Sequence, residues 1–325
     1  MRAFVFPGQG AQTIGMGRDL AALYPAAKAV FEEVDDALDQ KLSELMWEGD
    51  IDTLTLTANA QPALMATSIA VLRALETEGI TLKSGSFAAG HSLGEYSALA
   101  AAGALSLSDT ARLLRIRGNA MQNAVTFGEG AMAAILGLDF NAVKTIADVA
   151  AEGEVCQAAN DNDPAQVVVS GHTRAVERAI DLAKNAGAKR ALKLPVSAPF
   201  HCKLMKPAAE RMSEALEVVD ISKPTLPIIA NVKAAAVTDP SDIRSLLVKQ
   251  VTGVVRWRES IIYLVSEGVS EVWELGAGKT LCGMVRRIDK SINCQAIGSP
   301  DDLSLIHISE PTRRYAISYA VFCLK

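Results

Sequence analysis

Apolar residues along most of the chain fall into two alternating rhythms. Unbroken short runs, Ala3–Phe6 and Phe87–Ala89, predict strands buried on both faces. Longer stretches between them carry helical spacing. The segment after Gly10 reads as helical to about Leu45, and Pro62–Glu78 keeps Leu64, Ile69, Leu72 and Leu75 near one face. Two more helices are expected from Leu93 to about Ala102 and over Ser108–Val125. Strands alternating with such helices indicate an α/β fold with a largely parallel sheet.

The middle of the chain has a different order. Met132–Leu138 is strand-like, Asn141–Ala151 helical, and Val155–Ala159 and Gln166–Ser170 strand-like. Thr173–Ala186 is again helical and Arg190–Val196 a last strand. This β-α-β-β-α-β order is the ferredoxin-like arrangement, so residues 127–196 are expected to form an inserted subdomain. After Pro199 the first rhythm resumes, with a helical run Leu204–Leu216 and a strand at Pro227–Asn231. Helices near 241–250 and 257–267 and a strand at Glu271–Leu275 follow. The catalytic core would then be discontinuous, residues 1–126 and 197–303. Residues 304–325 continue neither rhythm. They are read as a non-native tail resembling translated vector sequence, with a native terminal strand and helix as the alternative.

Composition narrows the class. Half of the 325 residues are hydrophobic and mean hydropathy is +0.20, which excludes a disordered chain. A formal net charge of −5 gives no reason to expect nucleic acid or an anionic membrane as partner. No run approaches the ~18 apolar residues of a spanning helix, and the first apolar run stops at Pro7, too short for a signal peptide. Five cysteines form no CxxC pair and there are only four histidines, so no metal site is expected. Reduced thiols in a cytoplasmic setting fit this usage.

Gly90-His91-Ser92-Leu93-Gly94 matches G-x-S-x-G, with a predicted strand before it and a helix after it. The glycines permit the sharp turn, and Ser92 would project above the sheet beside a helix N-terminus. A serine nucleophile needs a base. His91 should point away on so sharp a turn, His172 sits in a turn of the insertion, and His307 lies in the suspect tail. His201, ahead of the Leu204–Leu216 run, remains, and a nearby helix N-terminus would keep its ring neutral. No later acid–histidine pair completes a triad of the hydrolase type. A group other than a carboxylate is needed to hold the imidazole, and a free carbonyl at the end of the Ser241–Gln250 helix is one candidate.

Arg117 falls in the middle of the apolar face formed by Leu113, Ile116, Ala120, Met121 and Ala124. A buried guanidinium needs a partner. Either an internal Asp or Glu supplies it, or a substrate carboxylate does, held bidentately. Nucleotide motifs fail: Thr13 stands where Gly8-Gln9-Gly10 would need its third glycine, and Trp273 where a P-loop ending in Gly278-Lys279-Thr280 would begin. Gly8–Gly10 reads instead as a loop at a strand's C-terminal end, where ligands of open α/β sheets gather.

Several segments taken together resemble one family. They are Phe6-Pro7-Gly8-Gln9-Gly10, Gly90–Ser97, Arg117-Gly118 with Met121-Gln122, and Pro199-Phe200-His201-Cys202 with Met205-Lys206-Pro207. Gln250 and Glu274-Leu275-Gly276 also fit. Their order and spread resemble the malonyl-CoA:acyl carrier protein transacylases. The resemblance implies an α/β-hydrolase-like core with a ferredoxin-like insertion. It also implies malonyl transfer from malonyl-CoA to the phosphopantetheine thiol of acyl carrier protein, for fatty acid elongation and without a further cofactor. Ser92 would carry the acyl group and His201 act as base, oriented by the Gln250 carbonyl. The N–H groups of Gln9 and Leu93 would form the oxyanion hole, and Arg117 would bind the malonyl carboxylate. Phe200 resembles the malonyl-type pattern rather than the methylmalonyl one. Carrier proteins of the family are acidic, so Lys189, Arg190, Lys203 and Lys206 are a candidate docking patch. A serine esterase or thioesterase on the same core is the alternative reading, as is a malonyltransferase serving a polyketide pathway.

Overall fold

The computed structural model describes residues 1–126, 128–196 and 198–309. The chain opens with β1 (Arg2–Phe6), whose Ala3–Phe6 are buried. Where one helical stretch is expected there are three helices, α1 (Arg18–Leu23), α2 (Pro25–Leu38) and α3 (Leu42–Glu48), followed by α4 (Ile51–Thr55). Pro25 starts α2 at its first turn, and Asp39 ends it in a left-handed conformation. Next come α5 (Thr57–Thr77), β2 (Phe87–Gly90), α6 (Gly94–Ala101) and α7 (Leu107–Gln122). The α5 helix begins five residues before the expected Pro62, which it holds in its interior.

A small sheet follows, built from β3 (Gly130–Leu136), α8 (Phe140–Ala151), β4 (Cys156–Asp163), β5 (Gln166–His172), α9 (Thr173–Asn185) and β6 (Arg190–Lys193). Its strands are antiparallel in the order β4-β5-β3-β6, the ferredoxin-like order. Side chains of β3 alternate as the pleat requires. Ala131, Ala133 and Ile135 pack under α8 and α9, whereas Met132 and Ala134 face the main core.

The remaining elements return to the large sheet. They are α10 (Lys206–Glu217), β7 (Ile228–Ala230), β8 (Ala235–Val237), α11 (Pro240–Thr252) and α12 (Trp257–Ser266), then β9 (Glu271–Leu275), α13 (Thr280–Ile288), β10 (Asn293–Ile297) and α14 (Pro300–Ser309). The order is β10-β9-β1-β2-β7-β8, parallel except where β7 meets β8. The α14 helix crosses the expected start of the tail at 304; residues 310–325 lie outside the described residues. Phe4 and Phe6 point into one apolar layer, Ala3 and Val5 into the other, so both faces of the sheet are covered. Among the described residues no helix is long and apolar enough to cross a membrane. Parallel pairing aligns Phe6 with Gly90, and His91 N–H donates to the Phe6 carbonyl at 3.1 Å. The loops leaving β1 and β2 therefore emerge side by side at the C-terminal edge of the sheet.

The polar strand β4 is buried because the core pairs its groups. Val255 N–H donates to Ala159 O and Asp161 N–H to Val255 O, both at 2.9 Å. Arg258 of α12 contacts both oxygens of Asp161, at 2.8 Å for the shortest pair, and Arg287 of α13 reaches Asp163 at 2.8 Å. One expectation needs correction. Cys282 of α13 and Cys294 of β10 are joined as a disulfide, because both side chains enter the same apolar layer beneath α13. Cys156 and Cys202 are free and buried.

The Asp161 side chain has no exposed surface, while Arg258 keeps 28%. Arg258→Ala should therefore lower stability to urea by on the order of 3 kcal/mol, leaving a buried carboxylate without its cation. Asp161→Ala should cost less, since Arg258 can turn toward water. Equal losses from the two variants would show that stranded charge is not what the seam avoids.

Candidate active site

Ser92 stands between β2 and α6 with φ +54°, a conformation that costs a non-glycine residue energy and is held by its surroundings. A Cβ on Gly90 would collide with the Gly94 carbonyl, and one on Gly94 with the Phe6 carbonyl, so only glycine fits at both ends of the turn. Asn231, just past β7, staples the turn. Its Oδ1 accepts from Ser92 N–H at 2.8 Å and its Nδ2 donates to Gly90 O at 2.7 Å.

His201, also left-handed at φ +58° and buried, places Nε2 2.7 Å from Ser92 Oγ. Its Nδ1 lies 2.9 Å from the backbone oxygen of Gln250, one of the carbonyls left without an intrahelical partner at the end of α11. Because a carbonyl only accepts, Nδ1 carries the hydrogen and Nε2 is free to accept from the serine hydroxyl. Burial first, and the charge of Arg117 second, push the His201 pKa down to about 3.

Arg117 is 1% exposed, and among the described residues no carboxylate lies within ion-pair distance of it. Instead Nη1 donates to Gln61 Oε1 at 2.7 Å, and Nη2 to Gln250 Oε1 at 2.8 Å and Ser92 Oγ at 3.1 Å. Its Nε is buried without an acceptor, and the guanidinium lies 5.7 Å from the Tyr96 ring. Gly118 makes this possible: a side chain there would strike the backbone of Thr57 and Ala58, so α7 packs directly on the first turn of α5 and Arg117 meets Gln61. The Gln250 side chain is the junction of the site. Besides Arg117 it holds Ser92 O and Glu95 Oε2 through Nε2, at 2.9 and 2.8 Å. Glu95 also accepts from Asn231 N–H at 3.0 Å, and burial raises its pKa to about 7.

A cavity of about 460 Å³ opens in front of these groups, between the C-terminal edge of the large sheet and the inner face of the small one. Gln9, Leu93, Met121, Met132, Val168 and Phe200 are among its walls. The backbone N–H groups of Gln9 and Leu93 have no acceptor among the described residues; the Gln9 side chain is occupied by Thr57 Oγ1 at 2.8 Å. His91 turns away from the serine, as expected, to Asn162 of β4 at 2.9 Å. The structure thus gathers Ser92, His201, Arg117 and Gln250 into one hydrogen-bonded cluster, with Gln9, Leu93 and Phe200 along the cavity. Sequence reading missed Gln61, Asn231, Glu95 and the Gln250 amide as its supports. Nothing local marked Gln61, which is one of several polar residues buried in α5, with Thr57, Asn59, Thr67 and Ser68.

Residues 3–275 match the acyl transferase domain family. The malonyl CoA-acyl carrier protein transacylase of Bacillus subtilis is 51% identical over 304 residues, 93% of this chain and 95% of that one. An acyl-carrier-protein S-malonyltransferase from Bartonella henselae superimposes with a TM-score of 0.92 at 55% identity, covering 95% of this chain and 98% of that one. A malonyl-transacylase solved with its type II PKS acyl-carrier protein gives a TM-score of 0.90 at 41% identity, covering 93% and 97%.

The sign of the Arg117 effect on His201 can be measured. A nearby cation disfavours imidazolium, so Arg117→Ala should raise the His201 pKa above about 3. Imidazole titration by NMR checks this, and an unchanged or lower pKa would remove Arg117 from the causes.

Proposed function

The chain belongs to the family of malonyl CoA-acyl carrier protein transacylases, and on that premise we propose how its residues move a malonyl group. The observation that carries the reading is a single oxygen, Ser92 Oγ, lying 2.7 Å from a neutral imidazole and 3.1 Å from a buried guanidinium. His201 Nε2 takes the hydroxyl proton while Oγ attacks the thioester carbonyl of malonyl-CoA. The oxyanion of the tetrahedral intermediate accepts from Gln9 and Leu93 N–H, whose hydrogens no acceptor among the described residues occupies. The C–S bond breaks, the CoA sulfur takes the proton from His201, and malonyl remains as an ester on Ser92. The thiol of the carrier's phosphopantetheine then gives its proton to His201 and attacks that ester. Ser92 Oγ leaves and recovers the proton, completing a ping-pong cycle that supplies malonyl-carrier protein for fatty acid synthesis. Every step uses groups of the chain and the two substrates, so the reading needs no cofactor.

Arg117 takes the malonyl carboxylate. Among the described residues it is the one buried cation beside Oγ, and its partners are two neutral amides and the serine hydroxyl rather than an acid, so its charge is uncompensated by direct contact. Phe200 closes the acyl end of the cavity and keeps water from the ester. We take residues 127–196 as a small subdomain whose inner face forms the opposite wall. The exposed Lys189, Arg190, Lys203 and Lys206 form the carrier-facing patch. A cytoplasmic setting, where both substrates occur, belongs to the same reading; the Cys282–Cys294 disulfide, a bond rare in that compartment, is the feature that stands against it.

Intact mass after brief exposure to malonyl-CoA should show one malonyl group added to the chain, and none on Ser92→Ala. Steady release of free malonate without any thiol acceptor would favour a hydrolase instead. Arg117→Ala should weaken malonyl transfer by about 3–5 kcal/mol, the usual penalty for stranding one member of a buried charge pair, and leave transfer of an uncharged acyl group less affected. Unchanged malonyl kinetics would return Arg117 to a structural role.

A further inference from the structure

Glu95 is a buried carboxylate three residues after Ser92, 3% exposed, and the mechanism above does not use it. It is separated from Arg117 by one amide. Glu95 Oε2 accepts from Gln250 Nε2, and Gln250 Oε1 accepts from Arg117 Nη2, each at 2.8 Å. The second hydrogen bond of Glu95, from Asn231 N–H, also ends on Oε2, so Oε1 has no protein partner among the described residues. The charged or titratable groups acting on Glu95 are Arg117 from α7 and Tyr96 from its own helix. His91 from the turn after β2 and His201 from the loop before α10 are held neutral by burial. Gln250 of α11, Gln61 of α5 and Asn231 after β7 carry no charge.

In the empty site, then, one acid balances one cation across an amide. A substrate carboxylate seated on Arg117 brings a second anion to the same guanidinium, away from water. Two carboxylates that share one cation in a buried site do not both stay ionised easily. The substrate carboxylate bonds the cation directly, whereas Glu95 reaches it only through Gln250, so Glu95 is the one that yields.

We propose that Glu95 takes up a proton from solvent when the carboxylate of an acyl group pairs with Arg117, and releases it when that acyl group departs. The proton bonds to Oε1, and both hydrogen bonds to Oε2 persist. This rests on the reading that Arg117 binds the malonyl carboxylate. The burial that brings the Glu95 pKa to about 7 keeps the exchange within reach at neutral pH. The consequence lies at His201. The total charge facing the imidazole is the same with the site empty and loaded, so the base keeps its strength through both halves of the cycle. An acetyl group, which brings no anion, leaves Glu95 ionised.

The test is calorimetric. Binding of malonyl-CoA and of acetyl-CoA to full-length Ser92→Ala, which cannot be acylated, is measured near pH 7.5 in two buffers of different ionisation enthalpy. Malonyl-CoA should take up a substantial fraction of one proton more than acetyl-CoA, and the difference should vanish with Glu95→Gln added. The amide oxygen of that variant can accept both bonds now made to Oε2. Equal uptake from the two ligands, or a difference that survives Glu95→Gln, would overturn the proposal. Difference infrared spectra of the Ser92→Ala protein give a second readout that needs no change at Glu95. A protonated-carboxyl band should appear with malonyl-CoA and be absent with acetyl-CoA; its absence with malonyl-CoA counts against the proposal. If Arg117→Ala leaves malonyl-CoA affinity unchanged, the reading of Arg117 fails. If affinity depends on Arg117 but uptake does not differ, only the role of Glu95 fails.

Discussion

Placing a guanidinium out of reach of water is the constraint on which this site depends. Arg117 is almost fully buried without a directly bonded acid, and such a charge is tolerable only if dipoles surround it. Two glutamine carbonyls, one hydroxyl oxygen and an aromatic face do this, and they come from three separate parts of the chain, around residues 61, 92–96 and 250. Gln61 requires α5 to begin before Pro62, at the cost of a proline inside the helix. Its approach requires glycine at 118. Gln250 requires α11 to end at the site, and that same ending frees the carbonyl that holds His201. Arg117 and His201 are therefore both held by one residue, through its side chain and its backbone respectively.

Much of this is legible in the sequence. Unbroken apolar runs mark β1 and β2 because parallel strands are covered on both faces. Gly90 and Gly94 mark the serine because no other residue fits the turn. Arg117 stands out as a charge on an apolar face, and the Gln250 helix end supplies a carbonyl where an acid is missing. What stayed hidden is pairing at a distance. Glu95 and Gln250 are 155 positions apart, and nothing local in either identifies the other. The strand β10 is unmarked because Asn293–Ile297, at the sheet's edge, mixes polar with apolar residues. β4 was expected to end at Ala159. It runs on to Asp163 because the acids Asp161 and Asp163 find arginines on α12 and α13, which pattern alone does not announce.

The antiparallel pairing of β3 with β6 has a consequence for how the chain reaches its native state. Ser92 and His201 are 109 positions apart, yet most of the intervening chain belongs to the small sheet. That sheet is stitched by hairpin and crossover contacts of short range, so it can form early, and once formed it brings residue 133 beside residue 193. The segment that must still be closed to join serine and histidine is then roughly half as long, which lowers the entropic cost of closure by about 0.6 kcal/mol. The larger gain is in search: β2 can find β7 while its long connection is already compact, and slow pairing between remote strands is shortened. The small sheet that walls the cavity thus shortens, during folding, the span of chain that must close to bring Ser92 and His201 together.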